Sequence, residues 1–178
     1  MILQMMRKNK SLFRKILTSY RGDSLNQYEL LVDEAYNNGI EVIEKRFYSR
    51  SKGLCKNNKL GISKDIPTLR EKTCVLAEEL GHYYKNVGNI VNLKIVDNRK
   101  QEYHGRLWGF NKRIGLTGII KAFNAHCTTL YDMAEYLDVT EEFLSEALNC
   151  YKSKYGTYIN VDNYIISFEP CLSVLKLF

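Results

Sequence analysis

The chain has 178 residues, 45% of them hydrophobic, with 13 Tyr and 7 Phe; that is enough for one well-buried domain and too apolar for a disordered chain. Its formal charge of +6 is local: residues 1–22 hold Arg7, Lys8, Lys10, Arg14, Lys15 and Arg21 and no acid, which leaves 20 basic and 20 acidic residues in the rest. A neutral body argues against direct nucleic-acid binding by that body, and no apolar run approaches the ~18 residues of a membrane span.

Taken in order, residues 1–22 read as a basic N-terminal extension. Met6, Leu12, Phe13, Ile16, Leu17 and Tyr20 give it an amphipathic helical pattern, and the interleaved Lys and Arg exclude a signal sequence. Cys55, Cys74, Cys127, Cys150 and Cys171 have no CxxC spacing. They read as reduced thiols, and the expected location is the cytoplasm. After the break at Arg21-Gly22-Asp23-Ser24, Ser24 or Asn26 caps a helix over 26–38, stopped at Asn37-Asn38-Gly39. Three short strands follow at 40–43, 53–55 and 59–62, the last two joined by a turn at Lys56-Asn57-Asn58.

Thr68, after Pro67 and three residues before Glu71, has the spacing of a capping box. The helix it opens has an apolar row at Leu69, Thr73, Leu76, Leu80, Tyr83 and Val87 and ends near 86–89. Glu78 and His82, four apart, share the opposite face, with Glu79 about 100° round from Glu78. A zincin helix carries His-Glu-x-x-His, two ligands one turn apart with a general base beside the first. Here the five places read Glu78-Glu79-Leu80-Gly81-His82, with Glu at the first ligand position.

A second long helix is expected from Asn98, where Gly105 and Gly109 would permit close approach to a neighbouring backbone. A short helix follows at 117–124. Residues 129–137 and 140–148 form a helix–turn–helix pair with Thr140 as N-cap. The spans 158–161 and 164–168 flank Asp162-Asn163 as a hairpin, and 172–178 is a last extended segment.

The order of these elements resembles the ImmA/IrrE family of metallo-endopeptidases, especially short members from phages and mobile elements. The likeness covers about residues 27–156. It is carried by Leu76-Ala-Glu-Glu-Leu-Gly-His-Tyr-Tyr84, by Asn98-Arg-Lys-Gln-Glu102 with Trp108, and by Ala134-Glu-Tyr-Leu-Asp-Val-Thr-Glu-Glu-Phe143. The resemblance implies an α+β fold: a small zincin-like metalloprotease domain with a short sheet, a motif helix and a helical C-terminal part ending in a β-hairpin. The expected domain spans residues 23–156, with 157–178 as a hairpin extension packed on it. The implied activity is metal-dependent cleavage of a helix-turn-helix phage or mobile-element repressor, which derepresses its genes. By family position Glu78, His82 and Glu102 would hold the metal and Glu79 would be the catalytic base. Most members have His where this chain has Glu78. Two carboxylates and one imidazole neutralise a divalent cation completely, which weakens it as a Lewis acid. Zinc is the expected metal, and oxygen-rich ligation also admits manganese or iron. The alternative is an inactive family member that binds the repressor or another regulatory protein without cleaving it.

Simpler readings apply to the other candidates. His104 lies two after Glu102 and points away from it on a helix; His126 falls in a loop without a partner. Tyr83, Tyr84 and Trp108 read as core. The pair at 129–148 carries Asp132, Glu135, Asp138, Glu141, Glu142 and Glu146, so phosphate contact is unfavourable and a structural or partner-binding role fits better. Because residues 1–22 hold the whole charge excess, deleting them is expected to leave a cooperatively melting protein with a pI near neutral. Thermal denaturation and isoelectric focusing of the shortened chain check this; loss of the cooperative transition would put the extension in the core.

Overall fold

The computed structural model describes residues 25–86 and 95–178. The readings made for residues 1–22 and for Val87 lie outside the described residues. Helix α1 (Gln27–Asn37) starts at Asn26, whose Oδ1 accepts the Glu29 N–H at 2.9 Å while Glu29 accepts the Asn26 N–H at 3.1 Å. The expected cap is thus Asn26, in a full capping box. Tyr28, Leu31 and Ala35 are its buried stripe. Gly39, at φ 75°, ends the helix and turns the chain into the sheet.

Strands β1 (Glu41–Lys45), β2 (Gly53–Lys56) and β3 (Lys59–Ser63) form a sheet of order β1-β3-β2. β1 and β3 are parallel, and β2 and β3 are antiparallel across the two-residue turn Asn57-Asn58, with Asn57 at φ 53°. β2 is therefore an edge strand.

Helix α2 (Leu69–Asn86) is the motif helix. Its cap is half of the expected box. Thr68 Oγ1 accepts the Glu71 N–H at 3.1 Å, but the Glu71 carboxylate is taken by Lys52 Nζ at 2.7 Å. A charge-assisted bond to an ammonium is stronger than one to a backbone N–H. The apolar row also differs from expectation at its start, since Leu69 is half exposed in the first turn. From Thr73 to Ala77 every residue is buried. The reason is that α2 lies between two cores. Leu76, Ala77 and Leu80 pack with α1 and β3, while Cys74 joins the core built by the C-terminal elements.

Helix α3 (Ile95–Arg113) starts three residues before the expected Asn98. Three helices follow: α4 (Gly115–Asn124), α5 (Leu130–Leu137) and α6 (Glu141–Tyr155). Thr129 and Asp132 cap α5 reciprocally, and Thr140 Oγ1 accepts the Phe143 N–H at 3.2 Å to start α6. The extended end does more than make a hairpin. β4 (Tyr158–Val161), β5 (Tyr164–Ser167) and β6 (Ser173–Lys176) form a three-stranded antiparallel sheet, because the last segment pairs with β5. Ile166 and Val174 place it on the core of α3–α6. The fold among the described residues is mixed α+β, and no helix there is long and apolar enough to cross a membrane. The five cysteines are free thiols.

α2 and α3 meet along a seam of glycines. A Cβ on Gly81 would overlap the Gly105 carbonyl oxygen, and one on Gly109 would lie 3.0 Å from the Ala77 oxygen. In an open helix interior Gly→Ala gains up to about 1 kcal/mol. Here Gly81→Ala is expected to reverse that sign and cost about 1–3 kcal/mol or more, because backbone rather than a flexible side chain blocks the methyl. The midpoint of urea denaturation measures it.

Candidate metal centre

Glu78, Glu79 and His82 project from the third and fourth turns of α2. Opposite them, α3 presents Glu102 and, one turn later, Arg106. The glycine seam sets the distance between the two rows. Gly105 lies directly against His82, and a Cβ there would run into Nδ1. With that edge of the ring against the α3 backbone, Nε2 faces Glu102 Oε2 at 3.7 Å. His82 is mostly covered and Glu102 is 60% exposed, so the carboxylate reaches the imidazole from the solvent side.

Glu78 does not join them. Its Oε1 lies 3.8 Å from Arg106 Nε, and Arg106 Nη2 also contacts Glu146 of α6. The structure thus brings His82 and Glu102 together and pairs Glu78 with a cation of the chain. Among the described residues, no three His, Cys, Asp or Glu side chains close on one point as a metal cage. The cleft between α2, α3 and α6 has a volume of about 320 Å³, and its walls include Glu78, Glu102, Arg106 and Glu146.

Glu79 turns the other way, toward the sheet. It lies against Gly53 of β2, where a Cβ would overlap its carboxylate. Burial pushes the Glu79 carboxyl up to about 7, with the charges of Glu78 and Glu102 adding to the shift. Glu78 also rises to about 7: burial is the main cause, Arg106 opposes it, and Glu146 and Glu102 add to it. Burial and the charges of neighbouring carboxylates make each of these two carboxyls favour either a proton or a cation.

Residues outside the motif complete this picture. Arg106, Glu146 and Gly53 were not read from the sequence as residues of the site. Arg106 had a signal, since it stands one turn after Glu102 and shares its face. Glu146 and Gly53 had none, because their proximity depends on how α6 and β2 pack. The remaining candidates sit away from the chemistry. His104 is exposed beside Tyr103, and His126 sits in a turn at φ 59°. The Tyr84 and Trp108 rings meet in a tilted contact at 4.9 Å against the sheet-side core, and the Tyr83 hydroxyl donates to Asn58 Oδ1 at 3.3 Å. Glu135, Asp138 and Glu146 of the helix–turn–helix pair meet arginines of α2 and α3, while Glu141 and Glu142 are exposed. Arg70 of α2 holds Glu135 and Asp138, and Arg113 donates to the Asp138 carbonyl at 2.8 Å.

Comparison with protein-family models, with curated proteins and with solved structures found no match to this chain.

The carboxyl shifts predict a pH dependence of stability. Glu79 binds its proton more tightly folded than unfolded, so between its ordinary 4.5 and about 7 the folded chain holds more protons. The stability it contributes is complete below about 4.5 and is lost as pH rises through about 7. In chelator-treated protein, Glu79→Gln is expected to be more stable than wild type at pH 8, by on the order of 1–2 kcal/mol once partial exposure is discounted. The difference should fade by about pH 5. Thermal melts of both proteins across this range test it.

Proposed function

We propose that the chain is a metal-dependent endopeptidase of a zincin-like type, acting on a helix-turn-helix repressor protein. The observation that carries this reading is the facing pair His82 and Glu102, with Glu79 on the same helix a half-buried carboxyl poised near neutrality. The donor chemistry fits a divalent cation: one imidazole and two carboxylates suit zinc, manganese or iron. Two donors bound to one cation at about 2.0–2.2 Å lie roughly 3–3.5 Å apart, close to the His82–Glu102 distance of 3.7 Å. His82, Glu102 and Glu78 would hold the ion, with Glu78 exchanging Arg106 for it. Such an ion supplies Lewis acidity toward the scissile carbonyl and acidifies water in its shell.

The chain's own residues supply the rest. A general base works best with a pKa near the operating pH, which the burial of Glu79 achieves. Glu79 takes a proton from the attacking water and returns it to the leaving amine, so that the C–N bond breaks as the C–O bond forms. The substrate's path follows from the sheet. Ser63 donates its N–H to the Lys52 carbonyl at 2.8 Å. The alternation of an antiparallel ladder then turns the backbone groups of Gly53 and Cys55 away from β3. An extended peptide pairing on that open edge passes the Glu79 carboxylate.

A second reading has its own observation. Arg106 gives Glu78 a counter-ion without any metal, which is what a non-cleaving family member that grips the repressor would retain. Glu79→Gln separates the two. A protease loses about 10²–10⁴-fold of its cleavage rate while still binding metal, and His82→Ala loses both cleavage and metal. Incubation with candidate helix-turn-helix repressors, with and without chelator, reads cleavage directly. Undiminished derepression in cells carrying Glu79→Gln would exclude proteolysis at this site and leave the binding role.

A further inference from the structure

Arg106 stands between two carboxylates that it does not hold equally. Its Nη2 is in close contact with Glu146, whereas its Nε lies 3.8 Å from Glu78 Oε1, beyond hydrogen-bond reach. Its guanidinium also lies over the Phe110 ring at 5.4 Å, which fixes the side chain along α3. Glu146 is thus the firm partner and Glu78 the releasable one. A guanidinium stays charged at every accessible pH, so it is a permanent cation beside the place where a metal would sit.

We infer that Arg106 is a positioning residue that occupies Glu78 until a divalent cation replaces it, and that Glu146 retains Arg106 after the exchange. This rests on the metal-site reading above. Without Arg106, Glu78 would be a half-buried carboxylate whose other nearby cation, Lys52, is already paired with Glu71. Without Glu146, release of Glu78 would strand the guanidinium, and Arg106 would instead commit to Glu78. Arg106 therefore opposes metal binding and Glu146 favours it. The chain Glu146–Arg106–Glu78 makes metal uptake an exchange of counter-ions, with the third ligand held near its place beforehand.

The test uses the full-length chain, stripped with chelator and titrated with zinc against a chromophoric competitor. Arg106→Gln is expected to bind zinc about 10-fold more tightly or better, and Glu146→Gln to bind it more weakly by a similar factor. In the double variant the effect of Glu146→Gln should shrink to a small remainder, because it acts through Arg106. General damage to the fold does not produce effects of opposite sign that collapse together. Cooperative melts accompany each variant, and Arg106→Met, which keeps the apolar stem over Phe110, replaces Arg106→Gln if that variant does not fold. Unchanged or weaker zinc binding without Arg106 overturns the inference, as does a Glu146→Gln effect undiminished in the double variant. If neither wild type nor the Arg106 variants bind zinc, the metal-site reading falls and this inference with it. If wild type binds zinc and the Arg106 variants bind no better, the inference alone falls.

Discussion

The seam between α2 and α3 is the contact on which the rest of the molecule depends. With Gly81, Gly105 and Gly109 at the crossing, backbone meets backbone where side chains would otherwise hold the helices apart. Close approach does two things at once. It lets α2 be buried on both flanks, joining the sheet-side core to the core of the C-terminal helices. It also sets the site, because the same glycine that permits contact seats the His82 ring and turns its Nε2 to Glu102.

That geometry creates an electrostatic problem which the surrounding elements share. Glu78 and Glu79, neighbours on α2, are both largely buried and both feel the charge of Glu102, which makes their ionised states expensive. Relief comes from a proton, from Arg106 or from a bound cation. Arg106 offsets only part of the burial cost, which is why Glu78 stays near neutrality despite its cation. Such poised carboxyls are characteristic of functional sites more than of surface ion pairs.

The α5–α6 pair has the outline of a DNA-reading motif, but Glu135, Asp138 and Glu146 are paired with arginines of the same chain. Arg70 and Arg113 tie the turn at Asp138 to α2 and α3, and Glu146 reaches into the cleft. The pair is a brace for the site helices. It sets one wall of the cleft and supplies the counter-ion for Arg106.

Much of this was legible from local chemistry. The caps at Asn26 and Thr140, the turn at Asn57-Asn58, the hairpin around Asp162-Asn163 and the helical phase of Glu78 and His82 depend on residues a few positions apart. Short-range hydrogen bonds and the 3.6-residue period decide them whatever the rest of the chain does. The close approach at Gly105 and Gly109 was legible as a permission only. What the sequence could not decide was which partner each charged group would choose. Glu71 left its cap for Lys52, Glu78 turned to Arg106 instead of His82, and Glu79 came to rest against Gly53. Each of these choices joins separate elements of the fold. They follow from burial and from competition among charges within a few ångströms, and those distances exist only once the helices and the sheet have packed.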